Sequence, residues 1–339
     1  MENLDLHTAA REGTLGAQPF DRPSLLARNA AGNTPLHVAA KYGHLDQIPA
    51  ALLSPADFGL KNDLGYTPLH HAALGGHLDQ IPPDVLTTAA LTQRSNSGYT
   101  VGHVAAAHGH LGQIPAALLT PEVFELKTDL GGTLLHEAAE NGAVDRFPAA
   151  QITAASLARK NIGGETVFHV AALNGHLDQI PSGFLTAAAL LEVTNSGDTV
   201  FHAAAISGHL GQVPAALLTH DHLILASKSG FTAIHAAAET GQLDRIPVGQ
   251  LTRDLLLTRN DNGDTPLHAA AYEGHLEQIP APLFDAALLN VRNYDGLTVG
   301  RLAVERGHAA QIPAPFRPKP PGPLQRLGLK LGISRPPFA

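Results

Sequence analysis

Thr34-Pro35-Leu36-His37-Val38-Ala39-Ala40-Lys41-Tyr42-Gly43-His44 decides how this chain folds, because it returns every 33 residues. The threonine recurs at 67, 100, 133, 166, 199, 232, 265 and 298. Three residues later stand His37, His70, His103, His136, His169, His202, His235 and His268, with Arg301 in the last copy. A period of this size means stacked copies of one small unit rather than a core wrapped around a pocket. Within each copy, Thr34 can cap a helix and Pro35 suits its first position, where a missing N–H removes no bond. Leu36, Ala39 and Ala40 then fall on one apolar face. The alanine pair keeps that face thin, so neighbouring helices can approach closely. Gly43 and its equivalents end the helix, as glycine does where φ is positive.

The stretch Thr-Pro-Leu-His-x-Ala-Ala-x-x-Gly-His, at 34–44, 67–77 and 265–275, resembles the ankyrin repeat, and the 33-residue length agrees. The resemblance covers roughly residues 2–313. Leu6 to Gly13 reads as an N-terminal cap within residues 1–30, and the diverged copy at 298–313 reads as a C-terminal cap. The resemblance implies an all-α, ankyrin-like helical repeat solenoid of about ten repeats, a curved array. It also implies that the eight frame histidines are structural, each ring bonded to its threonine and to neighbouring backbone.

The second half of each copy departs from that family. It reads His-Leu-Asp-Gln-Ile-Pro, with proline at 49, 82, 115, 148, 181, 214, 247, 280 and 313. A proline in a second helix removes a bond and clashes with the preceding turn, so that helix should break or kink. Asp46 and its equivalents read as acids in the first turn of that helix, complementing its dipole. Another capping residue follows five residues later, from Ser54 to Asp285, with an apolar residue four further on. That predicts a short capped helix and then a tight loop such as 61–65. The length so used leaves β-fingers short or absent.

Composition narrows the chemistry. The 339 residues include no cysteine, which excludes a disulfide framework, a thiolate metal site and a cysteine nucleophile. Net charge is −8; residues 314–339 hold five basic residues and no acid, which leaves residues 1–313 at −13. Such a body repels nucleic acid and anionic lipid. No apolar run is long enough to span a membrane. The first residues, Met-Glu-Asn-Leu-Asp-Leu-His, do not read as a secretory signal. The expectation is a cytoplasmic protein, with export by a route that needs no N-terminal signal left open.

Twenty histidines invite a metal reading, but a ladder of single side chains on stacked helices does not converge on one ion. His71, His108, His110, His220 and His222, which depart from the ladder, read as surface polar residues. No nucleophile elbow, phosphate loop or zinc-protease motif is present. Neither enzyme activity nor a cofactor is expected.

Positions free to vary within the fixed frame are the ones that can recognise a partner. One is the residue before each threonine, including Tyr66, Tyr99 and Phe231. The others are the two before each helix-ending glycine: Lys41 and Tyr42, Leu74, His108, Glu140 and Asn141. Further along they are Leu173 and Asn174, Ile206, Glu239, and Tyr272 and Glu273. In ankyrin proteins the matching positions line the concave face. Aromatic anchors are frequent interface hot spots. Leu74, Leu173 and Ile206 could equally pack between repeats. The expected function is a protein–protein scaffold that uses this face. An exported effector or toxin-neutralising binder of a foreign protein stands beside it, and a histidine-based metal protein or enzyme behind both. The Pro-rich basic tail, 314–339, reads as a flexible terminus able to contact an acidic surface.

Overall fold

The computed structural model describes residues 5–17 and 19–317. The expected behaviour of the tail beyond Arg317 lies outside these residues. Two compact units divide the chain, residues 1–195 and 196–339.

The first unit holds the helices Leu6–Glu12, Pro35–Tyr42, Pro68–Gly75, Val101–Ala107, Leu134–Glu140 and Val167–Asn174. Each of these packs on the next in chain order. The Pro35–Tyr42 helix shows why they form. Thr34 is extended (φ −94°, ψ 163°), its hydroxyl accepts from the His37 N–H, and Pro35 opens the first turn. Gly43 stops the helix in the left-handed region at φ 77°. Ala39, Ala40, Ala72 and Ala73 are wholly buried, so the stacking surface is made of methyl groups. Gly75 shows how close the approach becomes, since a Cβ there would lie 1.8 Å from the Lys41 carbonyl oxygen.

The second unit repeats the pattern with Val200–Ile206, Ala233–Glu239, Pro266–Glu273 and Val299–Glu305. Thr199, Thr232, Thr265 and Thr298 head these helices. Phe201, Ile234 and Leu267 are buried beneath them.

The second helix does not kink; it is absent. Leu45–Gln47 is a three-residue 3₁₀ turn, and Pro49 heads another, Ala50–Leu52. Proline has no N–H to give and its φ of −54° suits the entry to a turn, so successive short i→i+3 turns accommodate what a helix could not. The same pair recurs at Leu111–Gln113 with Ala116–Leu118, and in the second unit at Leu276–Gln278 with Ala281–Leu283. Asp46, Asp79, Asp178 and Glu277 are exposed residues of such turns, not first-turn acids of a helix. The expected third element is a single helical turn, such as Thr88–Leu91 capped by Thr87, with Leu91 wholly buried.

Tight loops close each repeat. The Asn62 side-chain oxygen accepts from the N–H groups of Leu64 (3.0 Å) and Tyr66 (2.9 Å), and Gly65 takes φ 79°. Neighbouring loops are tied by single backbone bonds, Asn96 N–H to Leu64 O (3.0 Å) and Ile162 N–H to Leu130 O (3.0 Å). Fingers shrink to isolated bridges, Arg94 to Thr100 and Lys127 to Thr133 in the first unit, Ala226 to Thr232 and Arg292 to Thr298 in the second. Among the described residues there is no strand.

Candidate recognition surface

The frame histidines tie the caps of their own helices to neighbouring backbone. His37 Nδ1 accepts from the Thr34 backbone N–H (3.1 Å), and Nε2 reaches the carbonyl oxygen of Tyr66 in the next loop (3.2 Å). An amide N–H can only donate and a carbonyl can only accept. The ring is therefore neutral with its proton on Nε2. His70 repeats this with Thr67 and Tyr99, His103 with Thr100 and Gly132, and His136 with Thr133 and Glu165. His169 accepts from Thr166 N–H at 3.2 Å. In the second unit His202 reaches Phe231 O, His235 reaches Asp264 O and His268 reaches Leu297 O. Burial pushes His37, His70 and His103 down to about 4, and lowers His136, His202, His235 and His268 as well. Arg301, in the last copy, turns instead to Glu305 (2.6 Å).

The His-Leu-Asp-Gln-Ile-Pro segment supplies a second set of ties, which the sequence did not disclose. Gln113 spans to the preceding repeat with both ends of its amide, Nε2 donating to Gly76 O (2.5 Å) and Oε1 accepting from Leu78 N–H (3.0 Å). Gln278 does the same with Gly241 O (2.7 Å) and Leu243 N–H (3.0 Å). His110 donates from Nδ1 to Ala73 O (2.8 Å). These side chains are brackets between repeats.

What the brackets leave free are the varying positions. In the first unit Tyr42 is exposed and lies between Arg11 and Lys41, whose charges sit 5.7 and 5.6 Å from its ring centre. Tyr66 and Tyr99 are half-buried, each ring edge-on to its own repeat's frame histidine, His70 (5.2 Å) and His103 (6.2 Å). Leu74 and Leu173 are half-buried, while His108, Glu140, Asn141 and Asn174 are exposed. In the second unit Ile206, Glu239, Tyr272 and Glu273 are exposed and Phe231 is half-buried. Arg306 lies over the Tyr272 ring at 3.5 Å.

Tyr66, Tyr99, Leu74, His108, Glu140 and Asn141 come together around a cavity of about 510 Å³ in the first unit. His71, expected only as a surface polar residue, and Glu137, which the sequence had not singled out, line it too. They occupy the place four after the threonine, which elsewhere holds Val38, Val104, Val170, Ala203, Ala236, Ala269 and Leu302. That break in an apolar column is the signal that could have found them. His71 is not the surface residue expected: its ring packs edge-on to His37 (5.3 Å), burial drives it down to about 3, and its Nδ1 is buried without a partner. Glu137 is only 5% exposed. Burial and the nearby Glu140 charge hold its carboxyl up at about 7, against a bond from the Tyr99 hydroxyl that works to lower it.

Histidines outside the ladder also take backbone partners or stack. His222 Nδ1 bonds to Leu217 O (2.7 Å), and His108 stacks on His110 at 6.2 Å. Among the described residues no group of three His, Asp or Glu is placed to hold a metal ion, and no helix is long and apolar enough to cross a membrane.

Comparison with known families meets this geometry directly. A family model described as ankyrin repeats (3 copies) matches residues 6–82 and 36–121, and one described as ankyrin repeat matches residues 262–281. Residues 6–121 and 262–281 carry ankyrin repeats. Ankyrin repeats are protein–protein interaction modules and generally have no catalytic activity. No curated protein matches the chain. Between the matched stretches the ankyrin frame persists, with Thr133, Thr166, Thr199 and Thr232 each heading a helix.

Proposed function

We propose that the chain is a non-enzymatic scaffold that binds a protein partner through the face built from its pre-threonine and pre-glycine positions. The supporting observation is the division of labour within each repeat. Frame histidines and bracket glutamines are consumed by backbone, whereas Tyr42, Tyr66 and Tyr99 occupy adjacent face positions with part of each ring open to solvent. Large, stiff, amphipathic rings bury much area at small conformational cost, which suits them to anchoring a partner. In this reading residues 1–30 and 298–313 cap the array, and the protein works in the cytoplasm. The charge of −13 over residues 1–313 favours a basic protein partner over nucleic acid.

The test is affinity capture from native lysate with wild type and a Tyr42→Ala/Tyr66→Ala/Tyr99→Ala variant, both shown folded by circular dichroism. A partner is expected on the wild type and lost from the variant by at least tenfold, since each anchoring ring contributes about 2 kcal/mol or more. Equal capture by both would place the recognition surface elsewhere.

A further inference from the structure

The cavity around Glu137 holds a combination that the rest of the face avoids. Two tyrosine rings, a carboxyl 5% exposed and a second carboxylate, Glu140, meet there, and among the described residues no cation is paired to either acid. At the other face tyrosines the chain supplies its own cation, Arg11 and Lys41 beside Tyr42 and Arg306 over Tyr272. Tyr66 and Tyr99 receive none among the described residues. A buried carboxyl that faces aromatic rings and another acid is destabilised as an anion until a positive charge arrives. The site is more than an acidic patch: it is a cavity of about 510 Å³ with a nine-tenths-buried acid in its wall.

We propose that this cavity receives a basic side chain, lysine or arginine, of the protein partner, with Glu137 as its counter-ion and Tyr66 and Tyr99 as its aromatic walls. This rests on the reading of the face as a protein-binding surface and names what the face recognises. The cation replaces a proton: as it enters, the Glu137 carboxyl ionises and releases its proton to solvent. The charged and titratable groups around Glu137 are Glu140 on its own helix, Tyr99 and His108 from the repeat before, and Tyr66, His70 and His71 from the repeat before that. Lys41 lies near enough to His71 and His108 to depress both, yet its Nζ stays beside Tyr42. His71 is neutral throughout the working range, so Glu137 dominates the pH dependence near neutrality.

The probe is n-butylguanidinium, with n-butanol as the neutral control, titrated into the full chain and followed by the NMR signals of Tyr66 and Tyr99. Saturable binding is expected at pH 8, about tenfold weaker at pH 6 because the carboxyl must first be ionised. Glu137→Gln should abolish both the binding and its pH dependence. Glu137→Val, which installs the residue type other repeats carry here, should do the same while melting at a higher temperature, so lost folding cannot account for the loss. Equal responses to n-butanol and n-butylguanidinium, or binding that survives Glu137→Gln, overturns the proposal. Capture of the partner separates the two readings. If the tyrosine variant loses the partner and Glu137→Gln keeps it, the face binds protein but the cavity takes no cation from it. If neither variant loses the partner, the face reading itself fails.

Discussion

Acidification from pH 7 to pH 5 is expected to lower the melting temperature by roughly 10 °C or more. His37, His70 and His103 lie at about 4 in the folded chain, against an ordinary value of 6.5. A lowered value means the unfolded chain binds the proton first. The stability these residues hold is therefore complete above pH 6.5 and is lost as pH falls from there toward 4. Each loses about 1.4 kcal/mol per pH unit, or about 2 kcal/mol by pH 5. His71, at about 3, adds a loss of the same sign. Glu137 works in the other direction. Its value is raised to about 7 from 4.5, so its contribution is largest below pH 4.5 and is lost as pH rises through 7. It offsets about one histidine between pH 5 and 6.5. In the second unit the lowered His202, His235 and His268 meet no such opponent. A domain whose whole stability is about 5–15 kcal/mol is sensitive to losses of this size. Melting curves by circular dichroism at pH 7, 6 and 5 check the result, and unchanged melting would mean that the frame histidines are protonated without penalty.

Replacing one frame histidine should be nearly as damaging as acid. His103→Ala removes the acceptor for Thr100 N–H and the donor to Gly132 O together, and both backbone groups lie in buried surroundings. Each unmet group costs about 1–3 kcal/mol, and the emptied ring volume adds to that. A loss of about 3–5 kcal/mol is expected in urea unfolding at pH 7. His7→Ala provides the contrast. His7 reaches only Asn33 O (2.9 Å) among backbone carbonyls and sits at the edge of the first unit, so about 1 kcal/mol is expected. Equal losses at the two sites would mean that burial of the ring does not set the cost.

The frame was legible in the sequence because repetition turns a weak cap signal into a strong one. Thr34, Pro35, His37 and Gly43 each carry a local physical role, and the threonine and glycine return in nine copies, the histidine in eight. The short capped helix of the second half was legible too, but the stretch before it was legible only as a prohibition. Pro49 forbids a helix but does not say that two 3₁₀ turns take its place. Gln113 carried no signal in the sequence, because its partners, Gly76 and Leu78, become neighbours only when one repeat stacks on the next. The face positions were found from their variability, and the structure leaves them open to different degrees, Ile206 at 48% and Tyr42 at 38% against half-buried Leu74 and Leu173. The cavity was missed for a different reason. His71 and Glu137 stand two repeats apart in the chain and meet only across the Val101–Ala107 helix. A search for exceptions within each apolar column, rather than for positions that vary freely, would have marked both.

Amide hydrogen exchange of the chain with and without its captured partner tests the central claim most directly. The account predicts slowed exchange concentrated at the ends of the Pro35–Tyr42, Pro68–Gly75, Val101–Ala107 and Leu134–Glu140 helices and in the loops that carry Tyr66 and Tyr99. Protection confined instead to the 3₁₀ turns from Leu45 to Leu52 and Leu111 to Leu118 would put the partner on another side of the repeats and contradict the account.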